Sequence, residues 1–241
     1  MNFNVMMEVD NGMKTIGLLG GMSWESTVTY YQVINETIKE KLGGLHSAKI
    51  LLYSVDFDEI ERCQSAGEWD KSAELLGAAA QRLEAAGADF IVICTNTMHK
   101  VAEEIRAQLS IPLLHIAEAT AQKLTDASIS KVGLLGTSYT MTERFYKDVI
   151  RKAGIDVLIP EGEDIQTVNS IIFNELCVGI TREESKQKLV DLIDRFRQNG
   201  AEGVILGCTE LGLLIHPGDV DLPVFDTALI HAKEAALAAL K

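Results

Sequence analysis

Two short polar stretches, far apart in the chain, carry side chains that can take up and release protons. One is Cys-Thr-Asn-Thr at 94–97, which follows the apolar run 90–93, and the other is Gly-Cys-Thr-Glu at 207–210, which follows the apolar run 204–206. Short apolar runs of this kind are typical of buried strands in a parallel sheet. Ligand sites of such sheets lie beyond the carboxyl ends of the strands. Both stretches therefore stand where a site is expected.

Cys208 is the candidate acid–base group of the second stretch. A lone cysteine is more often a small buried hydrophobe than a reactive group. Its thiol has a reference pKa of about 8.5, however, so ionising it at neutral pH costs only about 2 kcal/mol. Backbone amides and a nearby helix N-terminus could supply that amount. A nucleophilic use stays open, although no histidine stands at a spacing typical of a catalytic triad.

The elements that must position these stretches occur twice in the sequence. Ile-Gly-Leu-Leu-Gly at 16–20 is echoed by Val-Gly-Leu-Leu-Gly at 132–136. Thr95 follows the first glycine of the first copy by 78 residues, and Cys208 follows the corresponding glycine of the second copy by 75 residues. Landmarks in the same order at near-equal spacing indicate an internal repeat. Two facing halves would bring Thr95 and Cys208 to opposite sides of one cleft.

Strands that alternate with helices predict the α/β class, with two pseudo-symmetric parallel-sheet domains of about four strands each. We expect the active site in the cleft between the domains. The first domain is predicted to comprise residues 13–116 and 226–241, and the second domain residues 117–225. Residues 1–12 lack the strand and helix pattern, so we expect a disordered leader there.

Composition and charge exclude several function classes. The 241 residues include 22 basic and 35 acidic side chains, for a net charge of −13, which argues against nucleic acid or an anionic membrane as partner. The four cysteines show no zinc spacing, and the glycine turn at 17–21 lacks the patterns of nucleotide loops. No secretory signal or membrane span is evident. We expect a cytoplasmic protein with reduced thiols, no metal, and a small amino acid or carboxylate as substrate.

Several separated motifs resemble one family, the aspartate/glutamate racemase superfamily, in its aspartate racemase branch. The motifs are MKTIGLLGGMSWEST at 13–27, CTNT at 94–97, GCTE at 207–210 and PVFDT at 223–227. The resemblance extends over nearly all of 13–241. It implies a cofactor-independent enzyme in which two cysteines, one from each half, flank the α-carbon of the substrate. One removes the α-proton as thiolate and the other returns a proton to the opposite face. It also implies a homodimer.

The first motif departs from the family pattern at the position that matters most. Where the family has Cys-Asn-Thr, this chain has Thr95 followed by Asn and Thr, and the cysteine stands one position earlier, at Cys94. Because side chains alternate along a strand, we expect Cys94 to point into packing. An alcohol ionises near the pKa of water, about 15.7, so forming the alkoxide at pH 7 costs about 12 kcal/mol. The CTNTMH stretch resembles that of a subgroup of broad-specificity amino-acid racemases. This resemblance implies that Cys208 is the competent base and that Thr95 is its weaker partner.

Substrate contacts are expected from groups that can hold a carboxylate and disperse carbanion charge. The predicted donors are side chains of Asn96, Thr97 and Thr209, with help from the amides after Gly21 and Thr137. Met22, Ser23 and Gln64 are predicted to line the cleft. Glu210 and Asp226 are expected either to orient Cys208 and tune its pKa or to satisfy backbone amides at the strand ends.

The preferred amino acid and the reaction stay open at this stage. The resemblance implies that an arginine after the second strand and a lysine in the second half bind the side-chain carboxylate of the substrate. The corresponding stretches of this chain, 56–59 and 166–169, contain neither residue. A preference broader than aspartate or glutamate is therefore possible. Alternatives are decarboxylation of a malonate-type acid, cis-trans isomerisation of an unsaturated diacid, or binding of a carboxylate without catalysis.

Overall fold

Two parallel four-stranded sheets form the framework of the computed structural model, which describes residues 12–241. The strand order is β2-β1-β3-β4 in the first sheet and β6-β5-β7-β8 in the second. The strands are β1 Ile16–Gly20, β2 Ile50–Ser54, β3 Phe90–Ile93, β4 Leu113–Leu114, β5 Lys131–Gly136, β6 Asp156–Leu158, β7 Gly203–Gly207 and β8 Val224–Asp226. The predicted α/β class is confirmed. The leader predicted at 1–12 lies outside the described residues, apart from Gly12.

Helices connect the strands and cover the sheets. They are α1 Trp24–Leu42, α2 Phe57–Ala66, α3 Trp69–Ala85, α4 Ala102–Arg106, α5 Ile116–Asp126, α6 Ser138–Thr142, α7 Arg144–Lys152, α8 Glu163–Asn174, α9 Glu183–Gln198 and α10 Thr227–Ala239. Short 3₁₀ turns occupy Thr97–Val101, Leu176–Val178 and Leu211–Leu213. Helix α2 begins directly after Asp56, which accepts a hydrogen bond from the amide of Asp58 and caps that helix.

The strand register establishes which residues correspond in the two halves. Ile16 pairs with Phe90 in the first sheet, and its counterpart Val132 pairs with Gly203 in the second. Thr95 lies five residues after Phe90, and Cys208 lies five residues after Gly203. Thr95 and Cys208 are therefore at equivalent positions, as the repeat in the sequence indicates.

Each half is completed by a helix that crosses over from the other. Helix α5 follows the last strand of the first sheet, yet Leu124 packs with Leu134 and Tyr146 in the core of the second half. Helix α10 follows the last strand of the second sheet, yet its alanine face packs with Tyr30 in the core of the first half. The two crossings tie the halves together around the cleft. The predicted division into domains stays a prediction.

One surface of the first half exposes large apolar side chains. Trp24, Val28 and Tyr31 lie one helical turn apart along α1 and are 64%, 53% and 55% exposed, and Leu52 on the edge strand β2 is also exposed. The homodimer stays a prediction. Among residues 12–241, the helices are too short or too polar to cross a bilayer. The cytoplasmic location also stays a prediction.

Candidate active site

One cavity collects residues from the carboxyl ends of the strands of both sheets. Thr95 after β3 and Cys208 after β7 both line it. The other predicted residues that line it are Met22, Gln64, Asn96, Thr97, Thr137, Thr209 and Glu210. The lining residues that the sequence analysis did not single out are Phe57, Ile172, Phe173, Cys177 and Gly207. The predicted cleft is thus present and receives side chains from both halves.

Cys208 is buried, and its environment favours the neutral thiol. The Sγ–H group donates a hydrogen bond to Glu210 Oε2 at 2.9 Å. Burial, and next the negative charge of Glu210, raise the pKa of Cys208 well above its usual value. The sequence analysis expected backbone amides and a helix N-terminus to lower this pKa, and the structure shows the opposite direction. A base made from this thiol therefore needs a group that accepts its proton.

Glu210 is the carboxylate that accepts the hydrogen bond of Cys208. It is 3% exposed and receives three side-chain hydrogen bonds. Oε2 accepts from Cys208 and from Thr209 Oγ1 at 2.8 Å, while Oε1 accepts from Ser23 Oγ at 2.7 Å. Ser23, predicted as a cleft-lining residue, instead caps α1 and bonds to Glu210 from the other half of the molecule. The hydroxyl proton of Thr209 likewise points to Glu210 and not into the cavity.

Asp226 serves the backbone. Its Oδ1 accepts from the amides of Ala228 and Leu229, at 2.9 and 3.1 Å, and so caps α10. Burial raises the pKa of Asp226. The carboxylate is not among the residues that line the cavity. Of the two interpretations offered for Asp226, the structure supports the one in which it satisfies amides at a strand end.

Thr95 faces the cavity, whereas Cys94 faces away from it. Cys94 is fully buried in the core formed by β1, β3, α1 and α10, and its Sγ contacts the carbonyl oxygen of Val92 at 3.7 Å. Burial raises the pKa of this thiol. The alternation of side chains along the strand thus gives the expected result. Thr95, Asn96 and Thr97 are the residues of this stretch that line the cavity.

A buried histidine, His99, holds the backbone at Thr95, and two further buried histidines pack against its ring. His99 Nε2 accepts from the amide of Ile116 at 3.1 Å, so its Nδ1 carries the proton and donates to the carbonyl oxygen of Thr95 at 2.8 Å. The ring of His99 lies 4.5 Å from that of His115 and 5.8 Å from that of His231. Burial lowers the pKa of His115 to about 4 and that of His231 to about 3. The cluster is therefore neutral and holds the strand end in place.

The neutral histidines make the fold sensitive to acid. A histidine with a lowered pKa binds fewer protons in the folded than in the unfolded chain, where its pKa is about 6.5. Stability is therefore full above pH 6.5 and falls as the pH drops toward 4, by about 1.4 kcal/mol per pH unit for each such histidine. Replacing His115, which caps α5, by Asn retains a cap. We expect His115→Asn to reduce the pH dependence of the unfolding free energy between pH 6.5 and 5. The reduction should equal the contribution of one histidine, about 1.4 kcal/mol per pH unit.

Urea unfolding at several pH values measures this slope. His46→Asn removes an exposed imidazole and serves as the matched control. An unchanged slope in His115→Asn would contradict the assignment of a neutral, buried imidazole at this position.

Hydroxyl groups from the two halves meet at the wall of the cavity. Thr97 Oγ1 lies 3.1 Å from Thr137 Oγ1, which in turn lies 3.2 Å from Thr140 Oγ1. Thr137 also accepts from the amide of Thr140 and caps α6. Thr97 and Thr137 therefore form a polar wall of neutral donors and acceptors that suits a carboxylate.

The residues that line the cavity include a carboxylate, Glu210, and no lysine or arginine. The two stretches expected to lack a cation for a side-chain carboxylate, 56–59 and 166–169, contribute no lysine or arginine to the lining. Phe57 of the first stretch reaches the cavity with an apolar ring, and Asn169 of the second accepts a hydrogen bond from the amide of Ser138. Lys100 pairs with Glu143 at 2.6 Å and lies over the ring of Trp69. The lining is thus built from neutral polar groups, apolar groups and one acid.

The chain is similar to racemases over most of its length. A model of the Asp/Glu/hydantoin racemase family matches residues 19–235. A crystal structure of a Yersinia pestis protein assigned to the Asp/Glu racemases is 53% identical, with a TM-score of 0.89, over 95% of this chain and 100% of that one. An aspartate racemase homologue from Pyrococcus horikoshii is 38% identical, with a TM-score of 0.83, over 95% and 100% of the two chains. The broad-specificity amino-acid racemase RacX of Bacillus subtilis is 26% identical over 90% of this chain and 95% of its own length.

Proposed function

Because the chain belongs to the Asp/Glu/hydantoin racemase family, we propose that it inverts the α-carbon of an amino acid by removing and returning a proton. The observation that carries the proposal is the pairing of Thr95 and Cys208, which follow equivalent strands of the two halves and line one cavity. Removing a proton from one face and returning one to the other requires two groups placed in this way. The proposed reaction uses no cofactor.

The protons balance in a scheme that uses three side chains. When Cys208 acts as the base, its thiol passes a proton to Glu210, to which it is already hydrogen-bonded. The thiolate takes the α-proton, and the electron pair left on carbon is delocalised into the carboxyl group of the substrate. The hydroxyl of Thr95 then donates its proton to the opposite face. The resulting alkoxide recovers a proton from solvent while Glu210 releases one, so the enzyme ends the turnover in its starting state.

The two proton carriers are chemically unequal, and this has a kinetic consequence. An alkoxide at Thr95 costs about 12 kcal/mol at neutral pH, whereas the proton of Cys208 has an acceptor 2.9 Å away. Enantiomers have equal free energies in water, so kcat/KM must still be the same in both directions. The asymmetry is expressed in kcat and KM separately.

The cavity favours an amino acid with an uncharged side chain. The carboxylate of Glu210 attracts the α-ammonium group, and the hydroxyls of Thr97 and Thr137 suit the α-carboxylate. A second carboxylate, as in aspartate or glutamate, would meet no lysine or arginine among the lining residues. Apolar groups such as Phe57 and Phe173 line the remaining space. We therefore propose a broad amino-acid preference that is not limited to aspartate and glutamate.

Solvent exchange tests the proposed activity. Each proteinogenic amino acid, as the L and the D enantiomer, is incubated with the protein in D₂O and followed by proton NMR and chiral chromatography. We expect loss of the α-proton signal together with inversion for at least one amino acid, and faster exchange for uncharged side chains than for aspartate. Absence of exchange with every amino acid would reject the proposal.

Two alternatives are less consistent with the site. A malonate-type dianion, the substrate of a decarboxylase, would place two negative charges beside Glu210 with no cation among the lining residues. A protein that only binds carboxylates gives no reason for a buried thiol held 2.9 Å from a carboxylate. Release of CO₂ from malonates in the same assay would support the first alternative.

A further inference from the structure

Asn96 holds a buried hydrogen-bond acceptor that the proposed scheme leaves unused. The residue is 2% exposed and lines the cavity. Its Nδ2 donates to Thr227 Oγ1 at 2.9 Å. Its Oδ1 accepts no hydrogen bond from any residue in 12–241. Buried side-chain acceptors are normally satisfied, so an unpaired one in a cavity wall points to a ligand that donates.

The orientation of this amide follows from counting protons at Thr227. The hydroxyl of Thr227 has one proton, and it goes to the carbonyl oxygen of Leu206 at 2.8 Å, a group that can only accept. Thr227 can therefore offer only a lone pair to Asn96. The NH₂ group of the amide must face Thr227, and a flipped amide would set two acceptors against each other. Thr227 thus fixes which atom of Asn96 is left for a ligand.

Thr227 is placed to keep this arrangement rigid. It is fully buried at the first position of α10, the helix that crosses back to the first half. Its acceptor, Leu206, lies in β7 two residues before Cys208. The chain Asn96–Thr227–Leu206 therefore connects the strand ends that carry Thr95 and Cys208. In the first half, Ile116 occupies the position that corresponds to Thr227. The fold therefore tolerates a buried apolar side chain at this position of the repeat.

We infer that Thr227 is a positioning residue that makes the site select α-amino acids, by locking Asn96 with its Oδ1 free to accept from the α-ammonium group. This inference rests on the proposed function, because it concerns the substrate of the same cavity. The sequence analysis assigned Asn96 as a donor to a carboxylate. The proton count gives Oδ1 the opposite task, that of an acceptor for a cation. A 2-hydroxy acid offers one neutral donor in place of a charged group with three, so it gains less from this acceptor.

The test compares Thr227→Val with Thr227→Ser. Valine has the shape of threonine without the hydroxyl and frees the amide of Asn96 to rotate, whereas serine retains the hydroxyl. Binding is measured by calorimetry in the Cys208→Ser background, so that turnover is not needed. The probes are L-alanine, L-serine and L-aspartate, each beside its 2-hydroxy counterpart, L-lactate, L-glycerate and L-malate. Thermal unfolding of each variant reports on the fold.

We expect Thr227→Val to weaken amino-acid binding about 10- to 100-fold, while binding of the 2-hydroxy acids changes less than about threefold. Thr227→Ser restores the selectivity. An equal loss for both classes, or no loss, would overturn the inference. If Thr227→Val does not fold, Asn96→Ala removes the acceptor itself and must show the same selective loss. Failure of the proposed function is separate, because it would appear as absence of exchange in the unmodified protein with this binding selectivity intact.

Discussion

Replacing Cys208 by serine is expected to lower kcat/KM for racemisation by at least about 10³-fold. Oxygen replaces sulfur at nearly the same place, so contacts to the substrate are retained. The reference pKa rises from about 8.5 for a thiol to about 15.7 for an alcohol, which makes the base about 10 kcal/mol harder to form. Exchange in D₂O measures the rate, and calorimetry with the same amino acid measures binding, which we expect to stay within about threefold of the unmodified protein.

A matched control separates chemistry from a general sensitivity of the fold to loss of a thiol. Cys63 is also buried, but it is not among the residues that line the cavity. Cys63→Ser should keep kcat/KM near that of the unmodified protein. Retention of exchange by Cys208→Ser, or parallel loss of binding and turnover, would contradict the role proposed for this thiol.

Replacing Glu210 by glutamine is expected to change the pH dependence of the reaction. The raised pKa of Cys208 means that thiolate forms by loss of a proton to solvent only under alkaline conditions. With Glu210 as internal acceptor, kcat/KM should vary little around neutral pH. The amide cannot take the proton, so in Glu210→Gln the thiolate forms only by loss of a proton to solvent. We expect kcat/KM of Glu210→Gln to rise about tenfold per pH unit as the pH is raised, in place of the flat profile.

Asp226→Asn is the matched control for this experiment. It makes the same change from carboxylate to amide at a buried residue, one that caps α10 and is not hydrogen-bonded to Cys208. Asparagine is an equally good cap, so the control should keep the profile of the unmodified protein. A Glu210→Gln enzyme with unchanged rate and profile would rule out Glu210 as the proton acceptor.

The repeat makes the asymmetry of the site visible. By strand register, Thr95 corresponds to Cys208, Asn96 to Thr209, and Thr97 to Glu210. The second half thus has a thiol with a carboxylate two residues on, where the first half has a hydroxyl and a second hydroxyl. Among these six residues, the one carboxylate stands beside the stronger base, Cys208. The two halves share a backbone plan, and the difference in chemistry comes from these few side chains.

The placement of Thr95 and Cys208 was predictable because it depends on local rules. The repeated glycine strand fixes the correspondence, and alternation along a strand sends Cys94 into the core while Thr95 faces the cavity. The direction of the pKa shift of Cys208 was not predictable in this way. It depends on burial and on the direction of the Glu210 side chain, which Ser23 holds from the other half of the molecule.

The apolar part of the lining also required the tertiary structure. Phe57 lies in α2 and Phe173 in α8, and each belongs to a helical pattern that does not distinguish a cavity wall from an ordinary core position. Strand β4 comprises only Leu113–Leu114, because His115 caps α5 and ends the extended segment. Local sequence thus identified the strand ends, and long-range packing decided what surrounds them.

A crystal structure with a bound amino acid tests the central claim most directly. The account predicts that Cys208 Sγ and Thr95 Oγ1 lie on opposite faces of the α-carbon, each within about 4 Å of it, close to the separation of reacting atoms before transfer. An amino acid bound with both atoms on one face of the α-carbon, or with either atom out of reach of it, would contradict the account.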